Sequence, residues 1–166
     1  MKKINLMEGE LHLDETTFVR SLEDQLCFEV YKASNGFSRM YGRALKSFGI
    51  TFPQYLVLLA LWDEDHIFIK NISDRLGMSI GTLNPILNRL TAQGWIQKVA
   101  SDSDKRAVVV TLTEKSQQSK KAISKAILNE IIQCDLTDVG NEAFKRGLKS
   151  LNNEFNSLEE KNDLKN

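Results

Sequence analysis

The 166 residues carry 22 basic and 22 acidic side chains, so the formal net charge is zero, and apolar residues make up 42% against 27% charged. Such a chain buries roughly two-thirds of its unfolded surface without disulfide staples. The charge balance excludes, for the chain as a whole, a polybasic coat protein or a polybasic membrane binder. The longest apolar run, Tyr55 to Trp62, is far short of the roughly 20 residues a membrane span needs. Lys2-Lys3 is followed by Glu8, Glu10, Asp14 and Glu15 rather than an apolar leader. Two distant cysteines, Cys27 and Cys134, are not a secreted disulfide framework, and His12 and His66 stand alone, so neither a cofactor nor a metal is expected. The expectation is a cytoplasmic protein with no membrane partner.

Residues 1–16 are acidic and aperiodic, and are expected to form a flexible arm. From Thr17 onward Val19, Leu22, Leu26, Val30, Ala33, Phe37, Met40, Tyr41, Ala44, Leu45 and Phe48 recur at helical spacing. That spacing predicts a long first helix, open to a kink at Gly36 or Gly42 and ended by Gly49. Thr51 is a good cap, and Pro53 fits the first turn of a second, almost wholly apolar helix over 52–64. Ile67-Phe68-Ile69 is long enough for one short ladder. Ile69, Ile72 and Leu76 mark a short helix, Gly77 supplies a turn, and Ser79 caps a helix with Leu83, Ile86, Leu87 and Leu90 on one face. This is a helix-turn-helix pattern. Two β-rich runs, Trp95 to Val99 and Ala107 to Leu112, bracket the polar turn Ser101 to Arg106 and read as a hairpin. A helix-turn-helix followed by a hairpin is a winged helix.

Thr113 caps another long helix with Ala122, Ile123, Ala126, Ile127, Ile131 and Ile132 on one stripe, and Thr137 caps a last one with Val139, Phe144, Leu148, Leu151, Phe155 and Leu158. The first and the two last helices lie outside the winged helix, yet each has an apolar stripe to bury. The expected fold is mainly α with a small β-hairpin. A winged helix-turn-helix spans 51–112, and both chain ends, 17–50 and 113–160, form a helical dimerisation domain. A two-fold protein of this kind suits a pseudo-palindromic double-stranded DNA operator.

The zero net charge conceals a segregation. Residues 1–69 hold seven basic and ten acidic side chains, residues 126–166 five and eight, and residues 70–125 ten basic against four acidic. The positive segment contains the winged helix, as an electrostatic footprint for a polyanion requires. After the core face of the second helix of the motif is assigned, Ile80, Thr82, Asn84, Pro85 and Asn88 remain on its outer side. Thr82 and Asn84 suit base edges or phosphates, as does Ser79 from the cap. Arg89 suits phosphate, and so do Lys70 and Lys98.

Leu90-Thr-Ala-Gln-Gly-Trp-Ile96 and Asp104-Lys-Arg106 with Thr111-Leu-Thr113 resemble the MarR family of bacterial transcriptional regulators over about residues 20–158. Leu22-Glu-Asp-Gln-Leu-Cys-Phe28, Ile50-Thr-Phe-Pro-Gln-Tyr-Leu56 and Gly81-Thr-Leu-Asn-Pro-Ile-Leu87 are similar to its organic-hydroperoxide-sensing branch. The resemblance implies a dimeric repressor, not an enzyme, released from DNA when Cys27 is oxidised, with an oxidant or small thiol as effector. It implies an intersubunit disulfide with Cys134 as one outcome, and a mixed disulfide or overoxidation as the others. Of the two tyrosines that serve the thiol in that branch, one matches Tyr41 and the other falls on Phe52, which has no hydroxyl. Tyr31, one turn after Cys27, is the replacement candidate, because nothing adjacent in sequence supplies a cation. Arg106 resembles the wing arginine that enters the minor groove, Lys105 adds charge, and Ile80 replaces a frequent serine, which implies a changed operator preference. Three other readings stay open: a regulator triggered by an apolar or phenolic ligand among Phe37, Tyr41, Phe48, Tyr55 and Trp62, a thiol peroxidase, and a winged helix that binds protein.

Overall fold

The structure is a computed structural model that describes residues 5–6, 9–10, 21–100, 108–136 and 142–163. The chain divides into two units, Met1–Arg39 and Met40–Asn166. In the first, strands β1 (Asn5–Leu6) and β2 (Gly9–Glu10) pair antiparallel inside the segment expected to be an arm. A 3₁₀ turn over Leu22–Asp24 precedes helix α1 (Leu26–Leu45). The helix thus starts at Leu26, later than the periodicity predicted. The physical reason is Gln25, whose extended backbone (φ −87°, ψ 126°) separates turn from helix while its carbonyl accepts from the amides of Phe28 and Glu29. Gly36 and Gly42 lie within α1 without ending it. A further 3₁₀ turn, Lys46–Phe48, follows, and Gly49 at φ 66° closes it in the left-handed region that glycine enters without strain.

The second unit is built on helix α2 (Phe52–Asp63), whose first turn is locked by Gln54, the side-chain oxygen of which accepts the Thr51 amide at 2.8 Å. Apolar residues surround this helix, and Val57, Leu58 and Leu61 are at most 1% exposed. Strand β3 (Ile67–Phe68) runs directly into helix α3 (Ile69–Leu76). Gly77 at φ 61° turns the chain, and helix α4 (Ile80–Ala92) follows. Its inner row, Leu83, Leu87 and Leu90, is 0% exposed and joins one core with α2, Trp95, Ile96 and Val110. Strands β4 (Ile96–Ala100) and β5 (Val108–Leu112) pair antiparallel from Ile96 opposite Leu112 to Ala100 opposite Val108. Ile67 and Phe68 add a short third strand on β5, giving the order β3-β5-β4. The fold is therefore mainly α with a small antiparallel sheet, the winged helix that the pattern predicted.

Helix α5 (Glu114–Gln133) starts where predicted, the Thr113 hydroxyl accepting the Ser116 amide. Thr113 also donates to the Gly94 carbonyl at 2.7 Å, and the buried Ser116 hydroxyl donates to that of Trp95, so the helix start is tied to the root of the wing. Helix α6 (Glu142–Asp163) begins beyond Thr137, which lies outside the described residues. Its apolar side chains Phe144, Leu148, Phe155 and Leu158 stay exposed, as do Leu128 and Ile132 of α5. Among the described residues no single helix is long and apolar enough to cross a membrane.

Candidate nucleic-acid interface and reactive thiols

Two local contacts and one to the wing set the outer face of α4. The Thr82 amide donates to the Ser79 hydroxyl at 3.1 Å, and the two hydroxyls lie 2.9 Å apart. This cap satisfies one of the helix's orphan donors and fixes the first turn. Ile80, Thr82, Asn88 and Arg89 are exposed on the outer side and Asn84 is half-buried. Lys98 of β4 donates to the Asn88 side-chain oxygen at 2.7 Å, a charge-assisted bond that joins the helix to the wing. The Asn88 oxygen is thereby held, while its amide hydrogens make no bond among the described residues, and Lys98 is committed within the fold. Lys105 and Arg106, between β4 and β5 in sequence, lie outside the described residues.

The structure also divides the basic segment into working parts. Arg75 reaches the Asp63 carboxylate and donates to the Ala60 carbonyl at 3.3 Å, fastening α3 to the end of α2. Lys115 sits 4.3 Å over the Trp95 ring and donates to the Gln93 carbonyl at 2.8 Å. Lys120 is 5.9 Å over the Trp62 ring. These cations serve the fold, whereas Arg89 projects beside the exposed row of α4.

The two thiols sit in different settings. Cys27 is the second residue of α1 and is exposed, with Tyr31 one turn on, 63% exposed. Among its acidic neighbours, Glu29 is paired with Lys32 at 3.2 Å and Asp24 accepts from Ser21 at 3.0 Å. Cys134, half-buried, is the residue that closes α5. Arg43 donates through Nη2 to its Sγ at 3.2 Å and through Nε to Glu130 at 2.9 Å. The hydrogen bond to Glu130 is the main cause that holds the Arg43 guanidinium above its usual range, with the thiol a smaller one. Sequence reading missed Arg43. The available signal was Glu130 one helical turn before Cys134, a carboxylate placed to seat a cation beside the sulfur.

Tyr41 and Phe52 stack at 4.3 Å and 15°, Tyr41 and Tyr55 lie 5.5 Å apart, and Trp62 meets Tyr55 edge-on at 6.2 Å. Burial pushes the Tyr41 and Tyr55 phenols up, so both stay protonated donors at neutral pH. The Trp62 indole N–H is buried with no acceptor among the described residues.

Residues 39–123 match the family model described as transcriptional regulator SarA/Rot. The chain belongs to the MarR/SarA family of transcriptional regulators. It is 44% identical over 101 residues to the HTH-type transcriptional regulator TtmR of Methylorubrum extorquens, covering 61% of this chain and 52% of that one. It is 41% identical over 93 residues to the organic hydroperoxide resistance transcriptional regulator of Bacillus subtilis, covering 56% and 63%. The matched segment thus spans about half to two-thirds of these curated relatives. Among solved structures, reduced AbfR bound to DNA, a protein known from Staphylococcus epidermidis, superposes with a TM-score of 0.76 at 35% identity, covering 87% of this chain and 97% of that one. The same protein in its disulfide form is similar at a TM-score of 0.60 and 39% identity, covering 82% and 96%. The SarA/Rot match runs from the end of α1 into α5, and so contains the whole winged helix of this MarR/SarA-family chain. Cys27 and Cys134 both fall outside it.

Proposed function

We propose that this chain is a cytoplasmic homodimer that binds a pseudo-palindromic DNA operator as a repressor and is released by oxidation of Cys27. The observation that carries the DNA half is α4. It has a fully buried leucine row beneath an exposed row of Ile80, Thr82 and Arg89, with Asn84 beside it, and enters from a glycine turn behind α3. This arrangement supports reading α4 as a recognition helix for the major groove. Ser79, Asn88, Lys105 and Arg106 complete the interface, the last two from the segment between β4 and β5 in sequence. The exposed apolar stripes of α5 and α6 supply the surface that a second copy would cover.

The switch rests on an exposed thiol, a second thiol with a guanidinium at 3.2 Å, and a relative seen both on DNA in reduced form and in a disulfide form. That relative is also seen overoxidised on DNA, which favours a cross-link over added charge as the releasing event. The Cys27 thiolate attacks an organic hydroperoxide, the O–O bond breaks, and sulfenic acid forms with an alkoxide that takes a proton from water to leave as the alcohol. The Cys134 thiolate of a second subunit then attacks that sulfur and expels hydroxide. The disulfide is the two-electron oxidation product, and it draws on the first helix of one subunit and the end of α5 of the other. Shifting these elements changes the spacing of the two α4 helices and loses register with successive major grooves.

The test compares reduced and hydroperoxide-treated protein on a non-reducing gel beside a DNA mobility shift. A cross-linked dimer and loss of the shifted band are expected, and Cys27→Ser abolishes both. Oxidant that leaves the wild type uncross-linked and still bound overturns the switch. A second reading, release by an apolar or phenolic ligand, is favoured by one observation, the buried Trp62 indole N–H on a ring that meets Tyr55 edge-on, Tyr55 in turn lying beside Tyr41. Normal oxidant release in Cys27→Ser, or release by phenols without oxidant, selects it.

A further inference from the structure

Helix α4 presents to solvent an apolar side chain that its own fold does not use. Ile80 is 44% exposed, whereas Leu83, Leu87 and Leu90 of the same helix are 0% exposed. As the first helical residue it takes no part in the cap, which Ser79 provides. Nothing shields it from the following position either: Gly81 has no side chain, and a Cβ there would meet only the Ser79 hydroxyl at 3.8 Å.

Several polar groups near Ile80 are partly engaged within the fold. The Ser79 and Thr82 hydroxyls are 2.9 Å apart, so one of their two protons lies between them and a single O–H is left to donate outward. Two turns on, the Asn88 oxygen is held by Lys98 at 2.7 Å. The leading turn of α4 therefore offers one stiff, β-branched apolar group beside one hydroxyl donor. In a helix the isoleucine χ1 is close to fixed, so little rotamer freedom is lost when the side chain is pressed against a surface.

Base edges in the major groove carry acceptors and donors throughout, and their distinctive apolar feature is the 5-methyl of thymine. Against any other edge an isoleucine displaces water from polar atoms and returns no hydrogen bond. The geometry points to Ile80 as a specificity-determining residue that selects thymine in the operator by packing on its 5-methyl group. This rests on α4 being the helix that enters the groove, as in the function proposed above. Burying one methyl equivalent corresponds to about a fourfold change in binding.

The experiment first selects bound duplexes from a random-sequence pool, then replaces each thymine of the selected site singly with uracil, which differs only by the methyl. Affinities are measured at one ionic strength for the wild type, Ile80→Val and Ile80→Ala. At one thymine in each half-site, uracil is expected to weaken the wild type about fourfold. Ile80→Val keeps that discrimination, and Ile80→Ala binds thymine and uracil duplexes equally. Ile80→Ala also keeps the wild-type salt dependence, since no phosphate contact is lost. An enriched site at which no uracil effect depends on residue 80 overturns the inference and leaves DNA binding standing. Failure of the wild type to enrich any sequence overturns both.

Discussion

Leu87→Ala tests whether α4 is seated by close packing or only by its cap. Leu87 is 0% exposed, in the middle of the row Leu83, Leu87 and Leu90 that meets α2 and Trp95. The substitution removes three side-chain carbons at about 0.8 kcal/mol each, or about 2.4 kcal/mol of transfer free energy. A cavity term is added because neighbours on two helices and a strand cannot all collapse into the gap. The expected loss is therefore about 3 kcal/mol. For a chain of this length that corresponds to a fall in Tm of about 6–12 °C. Urea unfolding followed by circular dichroism should show a lower midpoint at an unchanged slope. At a temperature where the variant is still folded, DNA affinity should fall modestly with the salt dependence unchanged, because the exposed row keeps its charges. A loss below about 1 kcal/mol at unchanged slope would refute the packing argument, since only a loosely filled site tolerates that deletion.

Further outcomes follow from the same structure. Thr113→Ala removes the cap of α5 and its bond to the Gly94 carbonyl. It should lower stability by about 1 kcal/mol in the same urea assay, while Thr113→Ser, which keeps the hydroxyl, should not. Arg89→Ala should weaken binding similarly across sequences and lower the slope of log affinity against log salt by about one, measured by fluorescence anisotropy. An unchanged slope would remove Arg89 from the phosphate contacts. Phe52→Tyr returns a phenol beside Tyr41, with which Phe52 stacks at 4.3 Å. Hydroperoxide is expected to oxidise Cys27 faster in this variant and slower in Tyr41→Phe, as read by loss of a thiol-reactive dye, and equal rates in all three proteins would remove both rings from the switch. The Tyr41 and Tyr55 phenols have folded values above the unfolded one through burial, so folding holds their protons more tightly. Their contribution to stability is intact below the ordinary phenol value near 10 and is lost as pH rises through the higher folded values. Absorbance at 295 nm should show a late ionisation phase coinciding with unfolding, absent in Tyr41→Phe/Tyr55→Phe.

The helix starts at Thr51, Ser79 and Thr113 were legible in the sequence because each is set by hydrogen bonds spanning three residues, a range that residue type encodes directly. The winged helix was legible for a related reason: periods of 3.6 and 2 and the turn glycine Gly77 are local signals. The first helix was not placed correctly at its start. Apolar spacing continues through Leu22, while the break at Gln25 is a backbone event that periodicity does not report.

The segregation of charge along the chain was also a property of the sequence alone, and it turned a neutral protein into a candidate DNA binder. Which cations remain for DNA was decided only in three dimensions. Arg75 is committed to Asp63, Lys98 to Asn88 and Lys120 to Trp62, through contacts 10 to 58 residues apart. The setting of Cys134 has the same origin. Its guanidinium comes from Arg43, 91 residues away: Glu130 signals a seat for a cation, but no local pattern says which cation fills it across that distance. Sequence thus determined the elements and the chemistry they carry, because those follow from neighbours along the chain. Tertiary structure determined which charges and thiols are engaged, because that depends on which helices pack together.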